Sequence, residues 1–117
     1  RTTLNGDVCN KIGTYLKALA AFDNKIPFYV AAPISSIDFS IQDGINNIPI
    51  EERDEEEVSS IYGINSKGIT ESVKITPKNA NCKNYAFDVT PAKFITKIIT
   101  EKKVVDANQL SISELAN

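Results

Sequence analysis

The chain has 117 residues, enough for one small domain and too few for two. Apolar residues make up 42 % and charged residues 24 %, ordinary for a soluble globular protein and far from any disordered or collagen-like bias. No apolar run is long enough to span a bilayer. The formal net charge of −2 leaves no electrostatic footprint for nucleic acid, although one local Lys can still hold a small anion.

The first residue is Arg1 and the chain contains no Met, as expected of a processed product or a fragment. Two cysteines, Cys9 and Cys82, lie far apart and make no disulfide scaffold, so free thiols are expected. With no histidine, a Ser–His or Cys–His dyad and the His-containing zinc sites are excluded from this chain alone. Proton chemistry must use Asp, Glu, Lys, Tyr or Cys.

Residues 11–22 carry Ile12, Tyr15, Leu16, Leu19 and Ala20 at helical spacing, with Asn10 as the expected N-cap. Ile26–Ala32 is a continuous apolar run closed by Pro33. It reads as a strand covered on both faces, and the helix–loop–strand order points to an α/β layer fold with a parallel sheet. Such a partial sheet is expected to need upstream neighbours for burial. Residues 34–53 read as irregular. Residues 54–61 read as a short helix with acidic residues in its first turn and Gly63 as its C-cap. Residues 63–84 read as a surface loop holding one strand, Val73–Thr76. Thr90 as N-cap and Pro91 as first helical residue predict a helix to about Lys102, burying Phe94, Ile95, Ile98 and Ile99. A final short helix is expected over Ser113–Ala116.

Several segments could carry chemistry. In Asn5–Thr14, NGDVCNKIGT, a Gly-containing turn leads to a helix N-terminus, whose unpaired N–H groups attract anions. Lys11 adds charge and Asn10 an amide, making a cradle for a phosphorylated small molecule. Equally, Asn10 caps, Lys11 is solvated and Gly13 eases packing. Cys9 beside it is either a thiolate at a helix N-terminus or a small buried apolar residue. Ser35, Ser36 and Asp38 lie just past a strand's carboxyl end, where α/β sheets bind ligands, or else they only satisfy turn amides. Asp88 either orders backbone N–H groups at a helix start or faces a ligand. The acidic run Glu51–Glu57 matches no calcium loop and reads as a solvated helix start.

Taken together, NGDVCNKIGTY, IPFYVAAPISSIDFS, IPIEER and AFDVTPAKFITKIITEK resemble, in the same order, the C-terminal half of methylthioribose-1-phosphate isomerases. Residues 63–84 and those after Val105 lie outside the resemblance. It implies that residues 1–117 are part of one Rossmann-like C-terminal domain, with a mainly parallel sheet flanked by helices. A helical N-terminal domain and the sheet's first strands would lie upstream. It also implies a cytoplasmic homodimer, with the nucleus as a second compartment, that isomerises a phosphorylated sugar in methionine salvage. The implied reaction needs no metal or organic cofactor, and no nucleic acid or membrane partner is expected. The family's substrate-contacting pair falls on Asn10 and Lys11. Its catalytic Asp falls immediately before Arg1, and its catalytic Cys and phosphate-binding arginines fall further upstream. Cys9 stands where Ala is usual, and Tyr85 where Pro is usual. The related regulatory subunits of the initiation factor 2B exchange factor, which are scaffolds, and the ribose-1,5-bisphosphate isomerases are alternatives. NGD, IPIEER and AFDVTP separate the chain from the scaffolds.

Overall fold

A computed structural model of the chain describes residues 1–116. They divide into two compact units, Arg1–Ile50 with Phe87–Asn117, and Glu51–Ala86.

In the first unit, β1 (Thr2–Thr3) turns through Gly6 into β2 (Val8–Lys11), and α1 (Thr14–Asp23) follows. Next come β3 (Tyr29–Ala31), a 3₁₀ turn at Ile34–Ser36, β4 (Ile37–Asp38) and the one-turn α2 (Gly44–Asn47). The second unit contains α3 (Glu56–Ser59), β5 (Ser60–Ile64) and β6 (Thr70–Lys74). The first unit then resumes with β7 (Phe87–Thr90), a 3₁₀ turn at Ala92–Phe94, β8 (Lys97–Ile99) and β9 (Val104–Val105). It ends in α4 (Gln109–Ser113), which tightens into a 3₁₀ turn at Glu114–Ala116.

The first unit holds two sheets, ordered β4-β1-β2-β7 and β3-β8-β9. The α/β character expected from the sequence is what the structure has. Within it the pairings are mixed rather than mainly parallel: β1–β4 and β3–β8 are parallel, while β1–β2, β2–β7 and β8–β9 are antiparallel. Short turns such as Thr3–Asp7 allow only antiparallel neighbours, and they supply β1–β2 and β8–β9; the antiparallel β2–β7 pair joins strands distant in sequence. Val8, Ile37, Ile95, Ile98, Val105, Ile112 and Leu115 form the core.

Several sequence expectations are corrected. The first helix starts at Thr14, not residue 11, and its N-cap is Gly13 at φ 99°, not Asn10, which belongs to β2. Its buried side is also different. Ala18 is enclosed and Tyr15 and Phe22 pack on Phe94, with ring centroids 5.9 and 5.1 Å apart, whereas Ile12, Leu16 and Leu19 stay exposed. Strand β3 is shorter than Ile26–Ala32, and it is covered on one face only: Val30 packs against the core while Tyr29 and Ala31, on the other face, are exposed.

The expected helix over Pro91–Lys102 is a 3₁₀ turn followed by β8. Two pairs of β-branched residues, Ile95–Thr96 and Ile98–Ile99, favour extended backbone. The buried Ile98 alternates with more exposed neighbours at the strand period. Thr90 closes β7 rather than capping a helix. The C-terminal helix begins earlier than expected, at Gln109, where the Asn108 side chain caps it by accepting from Ser111 N at 2.9 Å.

In the second unit the short acidic helix is present as α3, but Gly63 lies inside β5 and Ser60 is the cap. The stretch read as a loop with one strand is a hairpin, pairing Ser60↔Lys74 through Ile64↔Thr70. Its turn is built by Asn65, whose side-chain oxygen accepts from Lys67 N at 2.9 Å and Ile69 N at 3.1 Å, with Gly68 at φ 75°.

Candidate functional site

Strand β2 carries Asn10 and Lys11 at its carboxyl end, opposite Asp88 and Phe87 of β7. The chain then bends at Gly13 into α1. The bend is fixed from outside the helix. One Asp88 oxygen accepts from Gly13 N at 2.7 Å and the other from Tyr15 N at 3.1 Å, while the Thr14 hydroxyl donates to Lys11 O at 2.7 Å. Asp88 therefore orders amides at a helix start, but at that of the remote α1 and not at that of the helix expected from Pro91, which is absent. The expected anion cradle at the start of α1 is filled by this carboxylate, whose charge repels a second anion.

Asn10 lines a cavity of about 340 Å³, together with Arg1, Thr14, Ser36 and the backbone-adjacent run Phe28–Pro33. That size suits a small ligand. Asn10 and Ser36, from two segments singled out separately in the sequence, thus meet at one cavity. Lys11 is exposed and does not line it. Successive strand residues face opposite sides, so Lys11 leaves β2 on the face away from Asn10. The Asn10 amide and the Lys11 ammonium make no hydrogen bond or ion pair among the described residues.

The remaining candidates serve the fold. Ser36 donates its hydroxyl to Pro33 O at 2.8 Å. Asp38 accepts from Ser40 N at 3.0 Å and from its hydroxyl at 2.6 Å, and lies 3.7 Å from the Arg1 guanidinium. The Ser40 hydrogen bonds first, and Arg1 after them, hold the Asp38 carboxyl below its ordinary range. Ser35 lies in a shallow depression beside Arg1 and Asp38. Both cysteines are free thiols; Cys9 is buried within β2, and burial pushes its thiol up, which suits a small apolar residue rather than a reactive thiolate. Among the described residues no group of three or more Asp, Glu or Cys is placed to hold a metal ion. In the acidic run, Glu57 meets Arg53 at 2.8 Å and Glu52 meets Lys83 at 2.7 Å.

Sequence reasoning missed Asp7. It is buried, and its carboxylate accepts from Asn5 Nδ2 at 2.7 Å, Gly44 N at 3.1 Å and Ala92 N at 2.9 Å, joining three segments of the first unit. The Asn-Gly-Asp turn was a signal for such a staple, because Asx side chains bond nearby backbone. The two remote donors had no local trace.

The first unit is thus a mixed α/β fold with a polar-rimmed cavity at its strand ends. Comparison with known proteins then fixes the family: residues 1–107 match the model of the Initiation factor 2 subunit family, and the chain belongs to it. It is 58 % identical over 113 residues to the methylthioribose-1-phosphate isomerase of Methylocella silvestris, covering 97 % of this chain and 31 % of that protein. It is 56 % identical over 115 residues to the enzyme of that name in Escherichia coli, covering 98 % of the chain and 31 % of the relative. The chain thus spans under a third of the length of these relatives. Among solved structures it is similar to 5-methylthioribose 1-phosphate isomerase from Pyrococcus horikoshii, with TM-score 0.81, 42 % identity, and coverage of 99 % of this chain and 30 % of the other. It is also similar to translation initiation factor eIF-2B, subunit delta, from A. fulgidus, with TM-score 0.78, 34 % identity, and coverage of 98 % and 31 %. The resemblance read from the four sequence motifs is borne out.

Proposed function

We propose that this chain is the substrate-holding C-terminal part of an aldose–ketose isomerase. The enzyme converts 5-methylthioribose 1-phosphate to 5-methylthioribulose 1-phosphate in methionine salvage, as a cytosolic homodimer active only with its upstream segment. The observation that carries this reading is a strand register. Arg1 and Cys9 exchange backbone hydrogen bonds in both directions, each at 2.8 Å, and Thr2 pairs with Val8. One step further, the residue preceding Arg1 falls opposite Asn10, on the same sheet face. The expected catalytic Asp thus stands beside the unengaged Asn10 amide at the cavity rim.

In this reading the upstream Asp donates a proton to the ring oxygen as the ring opens, because the C1 phosphate leaves no free aldehyde. It then helps move one proton from C2 to C1, with the upstream Cys serving the same centre, and takes back the C2 hydroxyl proton as the C2 carbonyl forms. The net change is an isomerisation, with no external oxidant or reductant. Asn10 holds sugar hydroxyls, and Lys11 brings its ammonium to the phosphate on a flexible four-carbon stem. The amides at the start of α1 take no part, since Asp88 holds them; upstream arginines carry the rest of the phosphate charge. The exposed stripe of Ile12, Leu16 and Leu19 and the open edge of β3 are surfaces for upstream segments to cover.

The test uses the full-length protein, with 5-methylthioribose 1-phosphate and ribose 1,5-bisphosphate as substrates and product formation followed by NMR. Turnover of the first substrate is expected. Asn10→Ala and Lys11→Ala should each lower kcat/KM with the fold retained. For Lys11, truncating a phosphate-contacting charge costs on the order of 2–5 kcal/mol. Unchanged kcat/KM in Lys11→Ala removes that residue from the site. No turnover of either sugar, with a residue other than Asp before Arg1, would instead identify a non-catalytic subunit.

A further inference from the structure

Helix α1 has no capping side chain of its own, and its cap residue is the left-handed Gly13. The missing acceptor comes from Asp88, 75 residues along the chain, which holds both Gly13 N and Tyr15 N. Asp88 is also the cross-strand partner of Asn10. One carboxylate therefore sits on the strand beside Asn10 and grips the bend that follows it, while Thr14 ties its hydroxyl back to Lys11 O at 2.7 Å. The Asn10 side chain has no hydrogen bond among the described residues to set its direction. Its direction comes from the backbone on either side, and Asp88 fixes that backbone.

We propose that Asp88 is a positioning residue for Asn10, setting the amide at the cavity rim so that it meets the sugar. This rests on the reading of Asn10 as a substrate contact. Asp88 does not touch substrate: both carboxylate oxygens are occupied by main-chain N–H groups, and its effect passes through the Lys11–Thr14 bend. A residue acting in this way changes the geometry of binding without joining the chemistry. Its loss therefore raises KM and leaves kcat close to the wild-type value.

The test is a double-mutant cycle in the full-length enzyme. Asn10→Ala, Asp88→Ala and the pair are compared in kcat and KM for 5-methylthioribose 1-phosphate, with the melting temperature of each recorded. Asn10→Ala is expected to raise KM about tenfold, as for one lost hydrogen bond. Asp88→Ala should raise KM several-fold in the wild-type background and by no more than about twofold once Asn10 is Ala. Asp88→Asn, which keeps one acceptor oxygen, should fall between wild type and Asp88→Ala, and its cycle decides the matter if Asp88→Ala does not fold. A purely structural role lowers the active fraction, and so kcat, equally in both backgrounds. Additive effects, or a fall in kcat at constant KM, overturn the proposal while leaving Asn10 in the site. An unaltered KM in Asn10→Ala removes Asn10 from the site, and the proposal with it.

Discussion

In the unit formed by Arg1–Ile50 and Phe87–Asn117, Asp7 and Asp88 bind backbone N–H groups distant in sequence. In the unit formed by Glu51–Ala86, Glu52 and Glu57 instead meet the side-chain cations of Lys83 and Arg53 at the surface. The same chemical group thus does two jobs. A buried carboxylate facing main-chain donors cannot be replaced by water, so removing it orphans every donor it held. An exposed ion pair exchanges with solvent and salt, and removing it orphans nothing. The burial of the two units differs accordingly. The first encloses an apolar core, whereas in the second only Ser59 and Ala86 are buried and Ile61, Tyr62, Ile64 and Val73 of the hairpin are exposed.

The largest expected effect lies at Asp7. Asp7→Ala strands three donors at once and should destabilise the full-length protein by roughly 3–5 kcal/mol, read as a lower midpoint in urea unfolding. Asp7→Asn keeps one acceptor oxygen and should lose distinctly less. A loss below about 1 kcal/mol for the alanine variant would mean water replaces the carboxylate, and the contrast between the units would fail. Next comes Gly44, which starts α2 against the same carboxylate. A Cβ there would stand 2.7 Å from the Asp7 Cβ and 3.1 Å from the Thr3 hydroxyl, so Gly44→Ala forces the staple apart. The expected cost is about 1–3 kcal/mol, as for overpacking. No change in the unfolding midpoint would show that this corner is loosely packed.

What could be read from the sequence follows the range of the interactions. The strand before Pro33, the helix within residues 11–22 and the free thiols rest on local patterns, and all are found, although the face that the helical period marked as buried is largely exposed. The NK pair and the serines past Pro33 were recognisable as candidates. The meeting of Asn10 and Ser36 at one cavity, and the place of Lys11 on the far face of β2, depend on a strand that the helix reading had absorbed. The Asn10 cap was wrong because the true acceptor, Asp88, arrives from a remote strand. Pro91–Lys102 was misread because Thr-Pro is a good helix start, while the opposing signal, a run of β-branched residues, wins only when β3 and β9 offer it partners. The hairpin was missed because Gly63 interrupts the apolar pattern of its first strand and disguises it as a loop.

The smallest expected effect sharpens the contrast from the other side. Lys83 pairs with Glu52 at 2.7 Å, yet the two side chains are 63 % and 41 % exposed. The hydrogen bond and charge of Glu52 raise the Lys83 pKa. A lysine raised in the folded state contributes its stabilisation below the unfolded pKa and loses it as pH rises through the folded one. The Lys83 charge is therefore present throughout the neutral range and is lost only in strong alkali. Being charged is not the same as mattering. At an ionic strength of about 0.15 M the attraction between such exposed charges is screened, and ordering two long side chains offsets what remains. Lys83→Ala should therefore leave the melting temperature of the full-length protein unchanged between about pH 6 and 9. A drop approaching that of Asp7→Ala would show that the surface pair anchors its unit as firmly as the buried carboxylate anchors the other. Solvent exposure would then no longer be the variable that separates them.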